Sequence, residues 1–269
     1  QFAPRAMGYV MLEPPPRSAR QHPSGLPLVR RTRSGRPTST IGVIAALPGE
    51  AKSLRKSTVH WGTNSPEVAL SGIGPQAAGA AAEHLARSGA AGLVSFGYAG
   101  ALKPALRSGT LILPDEILEA DGTRHRTDST WMAALAAAIA PDVAVVTGPL
   151  LSMPRMLTSA GDKHAAHVAT GALAVDMESA AIAATAERYG LPFIAVRAVL
   201  DEADHTVPSA ILAAVDESGT VGLGRLVLAL LARRREIATL IPLARAARAS
   251  NQTLLAVCRL GGPRFGLVG

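Results

Sequence analysis

Between residue 41 and about residue 215, short apolar runs alternate with helix-like stretches, and glycine or proline stands at most of the junctions. Residues 41–47, 67–71, 89–95, 111–113, 116–118, 143–146 and 193–199 read as strands. Residues 48–56, 76–87, 131–139 and 163–170 read as helices. Apolar runs of this length suit strands buried on both faces, and their alternation with helices predicts an α/β domain: a mixed, mostly parallel sheet flanked by helices.

The richest segment is 174–204, AVDMESAAIAATAERYGLPFIAVRAVLDEAD. It sets Asp176 and Glu178 before a helical stretch, and Arg197, Asp201, Glu202 and Asp204 in or just beyond a strand. Ligands of α/β proteins bind outside the carboxyl ends of parallel strands, so charges there are candidates for chemistry. A plain βαβ unit with solvated ends accounts for the same pattern. The turns 72–74 and 97–100 carry glycines, which serve tight turns as readily as ligand approach.

Composition narrows the choices. With 269 residues, 48% of them hydrophobic, the chain can bury a large core. Aromatic residues make up only 3%, too few for a surface that stacks bases. Cys258 is the only cysteine, which excludes an intramolecular disulfide and a thiolate zinc site and fits a reducing cytoplasm. His164 and His167 are three apart on a probable helix with no carboxylate partner in view, so no metal is expected.

The net charge of +7 sits at the ends. Residues 1–40 carry seven arginines and one acidic residue, and residues 219–269 carry eight arginines and one glutamate. The acidic middle and the absence of a nucleic-acid motif argue against DNA or RNA as a partner. Three segments are expected: a disordered basic extension over 1–39, the catalytic domain over 40–218, and a basic helical extension over 219–269. In the last, 222–235, 237–248 and 253–260 read as helices, with Pro242 starting or kinking one. Their apolar faces either pack on the domain or face an anionic membrane, giving a cytoplasmic protein with or without peripheral contact at the inner face. No apolar run in 1–40 is long enough for a signal peptide, and none elsewhere is long enough to span a bilayer.

Five segments in order resemble one family: IGVIAALPGE at 41–50, LSGIG at 70–74, VSFGYAGAL at 94–102, SGTLILPDE at 108–116, and the segment 174–204. Together they are similar to the nucleoside phosphorylases and nucleosidases, in the branch containing 5′-methylthioadenosine/S-adenosylhomocysteine nucleosidase. More narrowly, DGTRHRTD followed by Trp131, the segment DKHAAHVATGALAVDMESAA and the arginine-rich end resemble the hopanoid-associated phosphorylases, thought to release adenine from adenosylhopane.

The resemblance implies a single-domain phosphorylase/hydrolase-like fold and an enzyme that breaks a purine N-glycosidic bond. Asp201 matches the acid that assists protonation of the leaving base, aided by desolvation in a closed pocket. Glu50 matches the base that activates water. Glu178 matches the carboxylate that grips the ribose hydroxyls, and Met177 the side chain packed on the sugar. Leu47 and Ile73 match the lining on the 5′ side, Tyr98 lies in the third glycine segment, and Thr158 and Ser159 fall where the backbone reads adenine. Arg197 also matches a family arginine, expected to pair with Asp201, Asp204 or Glu178. One departure is Leu200, where the family places a serine before the acid.

Phosphorolytic relatives use arginines that are missing here: Ser95 occupies one position, and the early loop has none before Arg55. Without a bidentate cation a dianionic phosphate is held poorly, which favours water as nucleophile. The implied substrate is a small 5′-substituted adenosine, lipid-linked if it is adenosylhopane. No cofactor is implied; phosphate would be a co-substrate under phosphorolysis. A homodimer follows from the resemblance alone. A non-catalytic nucleoside-binding or membrane-associated module is the remaining alternative.

Overall fold

The computed structural model describes residues 40–62, 65–140, 142–206 and 237–267. The basic N-terminal segment and the helix expected over 222–235 lie outside the described residues.

Two nine-residue strands, β3 (Leu93–Ala101) and β10 (Phe193–Asp201), run parallel along their whole length at the centre of one sheet. On the flank of β3, its first half pairs in parallel with β1 (Gly42–Ala45), which pairs in parallel with β2 (Glu67–Leu70). Its far end pairs antiparallel with β9 (Ala174–Asp176), and the sheet continues through β8 (Leu150–Ser152) and β5 (Glu116–Glu119) to β6 (Arg124–Arg126). Beyond β10 come β4 (Leu111–Ile112) and β7 (Val145–Val146). Parallel pairings outnumber antiparallel ones, so the sheet is mixed but mostly parallel.

The helices are α1 (Pro48–Trp61), α2 (Pro75–Arg87), α3 (Ser129–Ile139), α4 (Ala160–Thr170), α5 (Ser179–Tyr189) and α6 (Ile237–Gly261). Prolines at the first position of α1 and α2 cost no hydrogen bond there and preset the helical φ. Asp128 and Ser159 cap α3 and α4 by accepting the N–H of Trp131 and of Asp162. Apolar side chains fill both faces of the sheet. One layer centres on Ile44, Leu93, Ile182 and Val199 and the other on Val43, Phe96, Trp131 and Val257.

Three departures from the sequence expectation matter. Residues 97–100, read as a turn, continue strand β3, and β10 likewise reaches Asp201 rather than ending at 199. The two helices expected over 237–248 and 253–260 are one, running through Pro242. Short strands β6, β8 and β9 carry too few residues to show a period in sequence, and they pair only because the chain folds back.

Helix α6 lies against α1, α3 and β10, burying Ser250, Leu254, Val257 and Cys258. Burial pushes the Cys258 thiol up to about 12, so it packs as an inert small group. Beyond the helix, Phe265 packs edge-on against Phe96 and Trp61, and its carbonyl accepts the Trp131 indole N–H at 2.9 Å. None of the helices among the described residues is long and apolar enough to cross a membrane.

Candidate active site

Glu50 is the third residue of α1 and reaches back over its own helix end. Its Oε2 accepts the N–H groups of Ala46 and Leu47, each at 2.8 Å, and its Oε1 accepts that of Tyr98 at 2.9 Å. The bond to Leu47 is half of a capping box. The carboxyl is nonetheless buried, and burial raises its pKa; the Arg197 charge opposes that, followed by the three backbone donors. It lies directly beneath the backbone of Ala46, Leu47 and Tyr98, which form part of a pocket wall.

The space for that carboxyl comes from Gly97. A β-carbon there would lie 2.5 Å from Glu50 Cδ and 2.7 Å from Arg197 Nη1. Gly100, three residues further along β3, leaves room for a different carboxyl: a β-carbon there would lie 3.2 Å from Asp201 Oδ1 and Oδ2. These glycines are therefore strand residues chosen for side-chain room, not for a turn.

Glu178 stands at the N-cap position of α5, but its carboxyl turns away from the helix and accepts the Gly74 N–H at 2.9 Å and the Met177 N–H at 3.3 Å. Burial, then the neighbouring Asp176 charge, pushes its pKa up to about 7. The carboxyl can thus exist in either protonation state near neutral pH, and its ionised form offers acceptors for paired hydroxyls.

Arg197 is 1% exposed and does not line the pocket. Its guanidinium pairs with Asp176 Oδ2 at 2.6 Å and donates to Ser95 Oγ at 2.5 Å and Ser179 Oγ at 3.0 Å. This corrects the expected partners Asp201, Asp204 and Glu178. The antiparallel pairing of β9 with β3 brings Asp176 beneath the guanidinium, whereas Asp201 lies four residues further along β10. Ser95, the position of a phosphate-binding arginine in the resembled family, is instead an acceptor for Arg197.

Asp201 ends β10 after a register shift at Leu200. The shifted backbone is pinned from three sides: Gly109 N–H and Ser250 Oγ donate to the Val199 carbonyl, and Ser108 Oγ donates to that of Leu200. The sequence reading set this carboxyl in a closed pocket with desolvation acting on it; the structure adds a cation beside it. Lys163 Nζ donates to Asp201 Oδ2 at 2.5 Å.

One pocket gathers most of the expected residues. Leu47, Ile73, Tyr98, Met177, Glu178 and Asp201 line it, with Gly100, Val175 and Leu200 between them. Tyr98 also donates its hydroxyl to Asn251 Oδ1 of α6 at 2.9 Å; burial, then the Glu50 charge, pushes its pKa up to about 12, so it stays a neutral donor. Thr158 and Ser159 fall outside this lining. The chain contributes Arg155, Met156 and Leu157 there instead, because Ser159 is already turned to cap α4.

Sequence reasoning passed over Lys163, Arg155 and Asn251, and it singled out Asp176 without its partner Arg197. Only Lys163 left a signal: a lysine in the first turns of a helix opposes the helix dipole and so asks for a specific partner. His167 binds the Ala172 carbonyl through Nδ1 at 2.8 Å, as a helix-end contact rather than a metal ligand. Glu202, Asp204 and His205 bring one ligand atom each within 4.8 Å of the others, but Glu202 is engaged by Arg107 at 2.6 Å.

Residues 40–232 match the phosphorylase superfamily. The fold is similar to 5′-methylthioadenosine/S-adenosylhomocysteine nucleosidase of Neisseria meningitidis in complex with methylthio-immucillin-A. That match has a TM-score of 0.59 and 22% identity, covering 82% of this chain and 98% of that one. It is also similar to the Helicobacter pylori enzyme of the same name (TM-score 0.61, 17% identity, 82% and 97% covered). Futalosine hydrolase of Helicobacter pylori matches equally well (TM-score 0.60, 17% identity, 82% and 97% covered). At these identities the likeness is one of fold.

Proposed function

The chain belongs to the phosphorylase superfamily, and from that membership and the pocket's arrangement we propose that it hydrolyses the N-glycosidic bond of a 5′-substituted adenosine, releasing adenine. The observation that carries this reading is the placement of three carboxyls about one pocket in three different settings. Glu178 is poised near neutrality, Asp201 is paired to a lysine, and Glu50 is buried behind the wall. Groups whose surroundings differ in this way can divide acid, base and binding work among themselves.

In this mechanism Asp201 passes a proton from Oδ1, the oxygen not engaged by Lys163, to the departing purine, and the carboxylate left behind is held by the Lys163 ammonium. Ionised Glu178 accepts hydrogen bonds from the ribose hydroxyls and holds the sugar as positive charge develops. Glu50 takes a proton from the attacking water once ligand binding brings water to it; its raised pKa makes it a better base than an exposed glutamate. Leu47, Ile73, Met156 and Leu200 give the pocket an apolar rim suited to a 5′ substituent.

The immobilisation of Arg197 by Asp176 and Ser95 supports water over phosphate as nucleophile. Arg155, exposed at the rim, is the one pocket-lining guanidinium left for an anion among the described residues. Adenosylhopane as the substrate and a homodimer as the assembly are the finer parts of this proposal and rest on the sequence resemblance.

The purified protein would be incubated with methylthioadenosine and with adenosylhopane, with and without phosphate, while free adenine and ribose 1-phosphate are measured. Adenine release indifferent to phosphate is the expected result, with Asp201→Asn slower by about 100-fold, the scale of losing a general acid. Phosphate-dependent release with ribose 1-phosphate would establish phosphorolysis instead. Tight binding of the nucleoside without release would leave a binding module.

A further inference from the structure

We propose that Lys163 is the positioning residue of Asp201, reaching from α4 to fix the carboxyl at the pocket wall; this rests on the glycosidic-cleavage reading above. Lys163 is 0% exposed. A buried ammonium is costly unless each of its protons finds an acceptor. It finds three: Asp201 Oδ2 at 2.5 Å, the Glu202 carbonyl at 2.9 Å and the His205 carbonyl at 2.8 Å.

All three acceptors lie within five residues of one another, where the chain leaves β10. The lysine therefore clasps one short segment with Asp201 at its root. Its own position is otherwise unfavourable, since it follows Asp162 in the first turns of α4 near the positive end of the helix dipole. A residue kept against both burial and dipole has its compensation in the contacts it makes.

Asp201 has no second side-chain donor among the described residues. Leu200 before it offers no hydroxyl, and Gly100 opposite offers only room. A carboxyl at the end of a strand with one free oxygen would rotate about its last torsion. With Oδ2 held by a fixed ammonium, Oδ1 has one direction left, and that is the oxygen available to a ligand. Fixing such a group matters chiefly in the transition state, because a misplaced acid still permits binding.

The test is a comparison of wild type, Lys163→Met, Asp201→Asn and the double variant, reading kcat and KM for adenine release. Lys163→Met is expected to lower kcat roughly 10- to 100-fold, within the contribution of a positioned acid, with KM changed less than about threefold. In the double variant the lysine has nothing to act through, so its rate should equal that of Asp201→Asn. Ethylammonium should restore part of the rate of Lys163→Ala. A kcat for Lys163→Met within about twofold of wild type, or losses that multiply in the double variant, would overturn the proposal.

Adenine affinity, measured by calorimetry on the same four proteins, keeps the two readings apart. If the wild type binds adenine but releases none, the cleavage reading fails. Lys163 is then judged by whether Lys163→Met weakens adenine binding and the double variant adds nothing to Asp201→Asn. No adenine binding at all would overturn both. Should the lysine variants not fold, the ammonium ¹⁵N resonance of Lys163 in the wild type decides. It shifts on saturation with adenine if the lysine and the ligand share a carboxyl, and a resonance that stays still overturns the proposal.

Discussion

Gly97 makes room for Glu50: a β-carbon on Gly97 would sit 2.5 Å from Glu50 Cδ, and the same atom would crowd Arg197 Nη1 at 2.7 Å. Strand β3 can carry no side chain at that point without driving the carboxyl out of the bonds it accepts from Ala46, Leu47 and Tyr98. Gly97→Ala should therefore destabilise the protein by about 1–3 kcal/mol, the usual cost of overpacking, and lower kcat by at least tenfold. Urea unfolding and adenine release would be measured together; a variant of wild-type stability and rate would show that Glu50 has space to move.

Glu178 should govern the acid limb of the pH profile. Its folded pKa is raised from 4.5 to about 7, so folded protein holds this proton more tightly than unfolded chain does. Its contribution to stability is then greatest below about pH 4.5 and is lost as pH rises through about 7. Activity moves the opposite way, because ribose binding needs the ionised carboxylate: kcat/KM should rise with pH through about 7. Glu178→Gln should abolish that limb and lower kcat/KM by roughly 10- to 100-fold, the worth of one or two charge-assisted hydrogen bonds. An unchanged limb in the variant would assign it to another group.

Arg197 should prove structural. Replacing it with methionine leaves Asp176 buried without its counter-charge, and removing one partner of a buried pair costs about 3–5 kcal/mol. A large fall in the urea midpoint is expected. Normal stability with a selective loss of phosphate-dependent turnover would instead make Arg197 a ligand.

His125 should make part of the stability pH-dependent. Its Nε2 lies 2.9 Å from Glu119 Oε1 and its Nδ1 lies 3.0 Å from Glu187 Oε2. Burial lowers its pKa, but the hydrogen bond to Glu119 and the close Glu187 carboxylate outweigh this, and the net shift is upward. The bridge between β6, β5 and α5 is therefore complete below the unfolded value of about 6.5 and is lost as pH rises through the folded one. The Tm difference between wild type and His125→Gln should be larger at pH 5.5 than at pH 8.5. A difference that is constant with pH would mean that the imidazole contributes packing alone.

The sequence was most informative where a residue's neighbours along the chain define its role. The strand–helix alternation, the prolines opening α1 and α2, and carboxyls placed at strand ends all follow from local pattern, and they were enough to bring Glu178 and Asp201 forward. It was least informative where glycine was concerned. Residues 97–100 look like a turn because glycine usually marks one, but here Gly97 and Gly100 lie inside a strand and give space to Glu50 and Asp201. Nothing local distinguishes the two uses.

By itself, then, the sequence determined the layered α/β architecture and the carboxyls that end its strands, since hydrophobic period and turn chemistry act over a few residues. The pairings were decided only by tertiary structure. Arg197 faces Asp176 because β9 folds back antiparallel on β3, and Asp201 faces Lys163 because α4 is placed so that its lysine reaches the end of β10. Charge attraction alone allows an arginine or a carboxylate many partners. Which one it meets is fixed by strand register and helix placement, and those depend on the whole sheet closing around its core.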